Sequence, residues 1–404
     1  MNTEPIYGRL DMTYLLHEKF YGSLGINIPF IEREAQGESP LLITDAKDNK
    51  ELLSFIVAGK STQSGTPSPE TPVEIVSAGQ SGQIKTDVLG GNLLDLSQGK
   101  SGTGEGVTYT KNPDGSYRRT GTATGTTGNV WFLGGYALDP NTPENVLFTL
   151  KPGTYTFIDG VILSNKEAKR NTFTIDSDFK VTGVRNPSQE LEKTYNDTIY
   201  PMLNVGSSAL PFESYKQPQT LILTTPDGLP GIPVSGDDYT YIDSAGQKWI
   251  CDEIDLARGK YVQRIGHNAN VNDWVDMPGS QNIEPTTSRF ALNIENIDNY
   301  RYSPCICNRL SYAKVDSYWK EGTYVTINEP NSKRIFARIE GITSLEDFTA
   351  TVPDLEVIWL LETPIETDLT AEEIATYKAL HTNEPTTTIM NDADAWMKVR
   401  YHGK

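Results

Sequence analysis

The stretch that decides the fold is Thr220-Leu-Ile-Leu-Thr-Thr-Pro-Asp-Gly-Leu-Pro-Gly-Ile-Pro-Val234, continuing through Tyr239-Thr-Tyr-Ile-Asp-Ser-Ala-Gly-Gln-Lys-Trp-Ile-Cys-Asp-Glu253 to Lys260-Tyr-Val-Gln-Arg-Ile265. Tyr239–Ile242 and Gln247–Glu253 are rich in aromatic and β-branched residues and flank Asp243-Ser-Ala-Gly246, a turn composition. Leu256-Ala-Arg-Gly259 then turns the chain into a further strand. The pattern predicts a β-meander over residues 217–266, with the rest of the chain hung from it.

Working outward, Gln83-Ile-Lys-Thr-Asp-Val-Leu89 alternates apolar and polar residues with the period of a half-buried strand, and Gly90-Gly91 stops it. Removing residues 92–216 would make this strand a sequence neighbour of Thr220–Thr225, so the two are expected to pair antiparallel around an insertion. Within the insertion short strands follow one another: Val107–Thr110, Ser116–Thr120, Val130–Leu133, Val146–Leu150, Thr154–Ile158 and Thr172–Ile175. Turns such as Pro113-Asp-Gly115 and Lys151-Pro-Gly153 separate them, the texture of a jelly-roll-like β-sandwich.

Before the insertion, Leu41–Ile43 and Leu52–Val57 bracket a polar stretch and predict a hairpin, while Leu10–Phe20 predicts a short helix ending at Gly22. Ser61–Pro72, dense in Ser, Thr, Gly and Pro, predicts an extended surface crossing. After the meander, Phe290–Ile294, Tyr324–Ile327, Arg334–Ile339 and Leu355–Leu361 predict a second β-sandwich over residues 267–366. In the last segment, 367–404, Thr370 three residues before Glu373 is a capping-box signature for a helix running to about His381. Thr386–Met390 and Trp396–Tyr401 around Asn391-Asp-Ala-Asp394 predict a terminal hairpin packed on the second sandwich.

A chain of 404 residues with 34 Gly, 24 Pro and 20 Tyr, and few long helical patterns, is expected to be all-β and divided into several domains. The net charge of −18 repels a phosphate backbone and argues against nucleic acid as a partner. No apolar run approaches the roughly 18 residues of a membrane helix, and no leader pattern opens the sequence, so neither membrane insertion nor export through a leader is expected. Cys251, Cys305 and Cys307 make an odd count with no disulfide or zinc spacing and read as strand residues, which fits folding in a reducing cytoplasm.

Several strings together resemble tail and minor structural proteins of phages and prophages of Gram-positive bacteria. They are Gly228-Leu-Pro-Gly-Ile-Pro-Val234 through Trp249-Ile-Cys-Asp-Glu253 and Tyr261–Gly266; Gly59–Val73 with Val76-Ser-Ala-Gly79; and Leu361-Glu-Thr-Pro-Ile-Glu-Thr-Asp-Leu369. Asn92-Leu-Leu94, Asn112–Ser116, Leu150–Thr156 and the closing Pro201-Met-Leu203 and Pro211–Tyr215 resemble the carbohydrate-binding-module-like sandwiches of such tails. The resemblance implies a virion component of the tail, fibre or baseplate, made in the host cytoplasm. It implies as partners other tail and baseplate proteins, further copies of itself (a homotrimer) and a host cell-surface polysaccharide. Residues 1–91 would then include the virion-docking mount.

On the inserted sandwich, Trp131, Tyr136, Tyr109 and Tyr117 are the candidate carbohydrate-binding residues, because an outward ring on a strand can stack on a sugar face and alternation turns about half of them outward. Trp131 is preferred, beside the glycine-rich Thr120–Tyr136 stretch.

No catalytic residue, metal ligand or cofactor is expected. Glycan cleavage needs two carboxylates about 5–9 Å apart across a cleft. The densest group is Asp252-Glu253 with Asp255, and strand neighbours face opposite sides. His17, His267, His381 and His402 stand in no catalytic motif, and Asp237-Asp238 and Asp392 with Asp394 lack calcium-loop spacing. Three functional classes remain: an adhesin for a surface glycan, a structural baseplate or fibre component without a ligand, and a glycan-cleaving tail enzyme.

Overall fold

The alternation in Gly82–Leu89 is realised in full: Ile84, Thr86 and Val88 are buried while Gln83 and Lys85 face solvent. The computed structural model that shows this describes residues 30–37, 40–277, 288–298, 304–314, 322–327 and 333–404. The helix expected over Leu10–Phe20, with His17 and Gly22, lies outside them. Strands dominate, with two short α-helices among the described residues, Leu345–Thr351 and Ala371–Lys378. The chain is all-β and multilayered.

Gly82–Leu89 pairs antiparallel with Gln219–Thr225 along its whole length, Val88 opposite Gln219 and Gly82 opposite Thr225. The two strands that bracket the insertion are thus neighbours, as expected. Thr387–Asn391 and Leu41–Ile43 complete a four-stranded sheet. Facing it is a seven-stranded sheet in the order Phe30–Ala35, Trp396–His402, Leu52–Ala58, Glu253–Asp255, Lys260–Asn268, Val357–Asp368, Cys305–Cys307. Phe55, Val57, Leu221, Leu223, Met397 and Val399 fill the space between the layers. The Ala371–Lys378 helix adds Tyr377, whose hydroxyl donates to the Leu52 carbonyl at 2.9 Å. Its capping box between Thr370 and Glu373 is present, and the helix ends at Lys378, three residues short of the expected end.

Two expected hairpins are instead crossings between these layers. Leu41–Ile43 pairs with Thr387–Asn391 in the smaller sheet, whereas Leu52–Ala58 pairs with Trp396–His402 in the larger. The polar links after Ile43 and after Asn391 therefore turn corners, and the carboxyl-terminal strands belong to the mount core, not to a second sandwich. Alternation marks which face of a strand is buried but carries no label for the strand beside it.

The expected meander likewise divides among three sheets. Gln219–Thr225 stays in the smaller sheet; Gly231–Val234, Tyr241–Ile242 and Lys248–Cys251 form a separate three-stranded sheet; Glu253–Asp255 and Lys260–Asn268 join the larger one. The strand read as continuous from Gln247 to Glu253 breaks at Asp252, 1% exposed. Its Oδ1 accepts the amides of Arg264 (2.6 Å) and Ile265 (2.8 Å), and Oδ2 accepts the Tyr261 hydroxyl (2.7 Å). Those amides lie where the ladder between Lys260–Asn268 and Val357–Asp368 slips: Gln263 faces Ile365, but Ile265 faces Leu360. A buried carboxylate thus serves the backbone donors of an irregular strand.

Beyond the slip, Trp274–Met277, Arg289–Asn293, Arg334–Arg338 and Tyr324–Thr326 form a four-stranded sheet. Its core contains Phe348 of the Leu345–Thr351 helix, stacked on Phe290 at 4.2 Å, together with Val357 and Trp359 of the seven-stranded sheet. The expected second sandwich over 267–366 is therefore a sheet and a helix laid on the end of the large sheet, sharing the strand that starts at Val357. The sequence reading did not include this helix, although its cap is local: Ser344 accepts the Asp347 amide at 3.1 Å. The Ser61–Pro72 crossing straps this region through Arg309 to the Pro69 carbonyl and Ser311 to the Pro67 carbonyl.

The insertion holds its own core. Val107–Lys111, Tyr117–Thr122 and Thr194–Ile199 belong to one sheet, and Trp131–Gly134, Gly153–Ser164, Glu167–Ile175, Gly183–Arg185 and Met202–Val205 to the other. Tyr109, Tyr117, Phe132, Tyr155, Phe157 and Leu203 meet between them. At the neck, Asn92 Nδ2 donates to the Glu213 carbonyl at 3.0 Å and Lys216 Nζ to the Glu384 carbonyl at 2.8 Å. A Cβ at Gly91 would stand 2.0 Å from a carboxylate oxygen of Glu213 and 2.8 Å from the Thr386 Cβ, so any side chain there would have to displace both neighbours.

Burial pushes the Asp252 carboxyl up to about 7, against the opposing pull of Tyr261 and the Arg264 and Ile265 amides. An acid raised on folding favours the folded state most below its ordinary value of about 4, and loses that advantage as pH climbs through its folded value. Asp252→Asn should therefore abolish a decline in stability between about pH 4 and 7 that the unmodified chain shows. Urea midpoints measured across that range for both proteins check this; parallel curves would contradict it.

Candidate functional site

Along Trp131–Gly134 Phe132 is buried and Leu133, opposite Val184, packs against the insert's core, while a register shift leaves Trp131 half-buried opposite Arg185. The chain then turns at Gly134, with φ of 60°, and presents Tyr136, 61% exposed. The Trp131 and Tyr136 rings lie 6.4 Å apart, tilted by 49°. Trp131 pairs with Arg185 across the strands and lies over Gly183, where an added Cβ would approach the indole to 2.7 Å. Gly183 thus lets the indole lie down against the sheet, one flank packed and one open.

Tyr109 and Tyr117 do not join this pair. Both are fully buried, Tyr117 stacked on Phe132 at 3.9 Å and 16°, Tyr109 accepting from Gln189 Nε2 at 3.1 Å and Asn186 Nδ2 at 3.3 Å. They are core rings, and the reading of them as sugar-stacking residues is corrected. From Val107–Lys111 and Tyr117–Thr122 both rings face Phe132 of the opposite sheet, a contact that alternation alone does not orient.

A further concavity lies elsewhere: a groove of about 1040 Å³ on the outer face of the seven-stranded sheet. Sequence reasoning missed it because its residues come from segments scattered between Glu32 and Arg400. One signal was readable: Glu253 and Asp255 are two apart in a strand and so share a face, and both line the groove while Asp252 turns away. Glu253 Oε1 pairs with Arg264 at 2.8 Å, and Asp255 Oδ1 accepts the amides of Ala257 and Arg258 at 3.1 Å. Across the sheet Glu32 pairs with Lys398 at 2.7 Å and with Arg400 at 3.1 Å.

Other candidates remain scattered. His267 lies 3.0 Å from Glu356, whose carboxylate raises the imidazole above its usual value, and the His381 ring contacts the Ala379 carbonyl. Asp237 pairs with Lys248 at 3.0 Å, and Asp392 accepts the Lys85 amide at 2.8 Å. Among the described residues no three His, Cys, Asp or Glu side chains converge as metal ligands. Cys251, Cys305 and Cys307 are buried free thiols, and burial pushes Cys307 up to about 12, far from a reactive thiolate. No helix among the described residues is long and apolar enough to cross a membrane.

Comparison with protein-family models, curated proteins and solved structures finds no match for this chain.

The split between surface and core rings has a direct consequence for stability. Trp131→Ala is expected to cost about 1 kcal/mol or less, whereas Phe132→Ala, which empties a site between Tyr109 and Tyr117, should cost about 3–5 kcal/mol. Denaturant titration of the two variants tests the assignment; equal losses would place Trp131 in the core.

Proposed function

We propose that the chain is a phage tail-associated protein that attaches the particle to a host cell-surface polysaccharide through the inserted sandwich. The observation that carries this reading is the Trp131–Tyr136 pair on the outer face of a sandwich with its own core. Two tilted, partly exposed rings give a sugar a hydrophobic face to stack on, and the Thr120–Tyr136 stretch supplies loops beside them. The resemblance of the strings around Gly228–Val234 and Leu361–Leu369 to tail proteins of Gram-positive phages supports the virion setting.

Stacking on a shallow polar surface gives a single site on the order of 0.1–1 mM, so useful attachment requires repetition. A homotrimer docked on other tail or baseplate proteins supplies it. No catalytic group takes part: attachment needs only the rings and adjacent hydrogen bonds.

Two experiments test this. On a glycan array and on host cells, the full chain should bind, Trp131→Ala and Tyr136→Ala should each weaken binding by about tenfold, and melting temperatures should hold. Unchanged binding in both variants would dismiss the site, and absence of binding would leave a structural tail component. Release of reducing ends from the bound polysaccharide would move the protein to the enzyme class. Separately, light scattering should return about three times the 44.7 kDa chain mass, and a stable monomer in solution and in particles would count against the trimer.

A further inference from the structure

We infer that the groove on the outer face of the seven-stranded sheet is a second binding site, and that it takes a neutral oligosaccharide.

The antiparallel register builds the groove floor. Arg400 stands opposite Glu32 on one side and Ser54 on the other; Lys398 stands opposite Ile56, which in turn faces Asp255. Trp396 stands opposite Ala58, which faces Glu253. The middle strand offers Leu53, Ser54 and Ile56 to the groove, a low trough closed at one end where Ala58 is buried with Trp396, Tyr241 and Trp249. Along one flank run N–H donors on Trp396, Lys398 and Arg400; along the other run the carboxylates of Glu253 and Asp255. These flanks are two strand spacings apart, about 9–10 Å. Tyr239, 39% exposed, lines the same cavity, with Lys248 over its ring at 5.1 Å.

Two features suit the groove to a ligand. Trp396 is 5% exposed and its indole N–H has no acceptor among the described residues; the Arg400 Nε is likewise without one. Buried donors of this kind are ordinarily satisfied. The carboxylates also keep capacity: Glu253 bonds Arg264 through Oε1, and Asp255 holds its turn amides through Oδ1, leaving the second oxygen of each without a hydrogen bond among the described residues.

The chemistry of the lining selects the ligand class. Six carboxylates and four cations line the groove, so a polyanion meets net repulsion and a polycation competes with cations already paired. A group that both donates and accepts suits a trough with donors on one wall and acceptors on the other, and vicinal hydroxyls do so without bringing charge. The volume of about 1040 Å³ lies at the upper end of small-ligand sites, room for several sugar rings.

The site is independent of the Trp131–Tyr136 pair, and the test keeps them apart. The full chain is titrated by calorimetry with maltotetraose and chitotetraose as neutral probes, and with a glycerol phosphate oligomer and tetralysine as charged ones. At least one neutral tetrasaccharide should bind on the order of 0.1–1 mM, more tightly than either charged probe. Ser54→Trp, which fills the trough, and Tyr239→Ala, which removes its exposed ring, should each weaken that binding by about tenfold. Retained melting temperature certifies each variant, and Tyr239→Ala stands alone if Ser54→Trp disturbs folding. The inference is overturned if neither neutral probe binds up to roughly 10 mM, if a charged probe binds more tightly, or if binding survives both groove substitutions. Binding lost in Trp131→Ala but kept in the groove variants overturns this site and leaves the inserted sandwich as the adhesive surface.

Discussion

Asp252 is the point on which the layers depend. A carboxylate 1% exposed, it interrupts a strand that composition would continue, and its oxygens take up the Arg264 and Ile265 amides and the Tyr261 hydroxyl. Its own amide donates to the Pro230 carbonyl at 2.9 Å and its carbonyl accepts from Gly59 at 3.3 Å. One residue thereby ties the three-stranded sheet, the Leu52–Ala58 strand and the slipped ladder of the large sheet. All of these bonds except that to Tyr261 serve backbone groups that the sheets leave unpaired, which is why a buried carboxyl is tolerable there.

The slip that Asp252 stabilises also shapes the surface. Between Ile265 opposite Leu360 and Gln263 opposite Ile365, the residues Leu361–Pro364 have no ladder partners and swing out as a wall of the groove. Pro364 has no amide to lose, and Asn296 ties the swung-out segment by donating to the Thr363 carbonyl at 2.8 Å and accepting its amide at 3.0 Å. The same turn of chain thus serves as sheet irregularity and as cavity rim.

The inserted sandwich depends on the mount through a narrow contact. Gly91 and Glu213 pass side by side, Lys216 reaches the Glu384 carbonyl, and Leu42 of the smaller sheet packs against the insert's core. Beyond that contact the sandwich is stabilised by its own rings, Tyr109, Tyr117 and Phe132 at the centre. An element with a private core and a two-strand tether is able to present a surface without the mount deforming.

The sequence by itself determined what is local. The period-two burial of Gly82–Leu89, the turn-punctuated strands of the insertion, the Thr370–Glu373 cap and the strand character of Cys305–Cys307 all follow from neighbours within a few residues. The pairing of Gly82–Leu89 with Gln219–Thr225 was legible too, because an insertion must leave and re-enter at adjacent points. Only the tertiary structure decided which sheet each strand joins, and hence that Leu41–Ile43 and Leu52–Ala58 part company, that Tyr109 and Tyr117 face inward while Trp131 and Tyr136 do not, and that Glu253, Asp255, Lys398 and Arg400 meet on one face. Alternation specifies that one side of a strand is apolar; the burial of that side against a particular distant partner depends on contacts across hundreds of residues, and no local pattern encodes them.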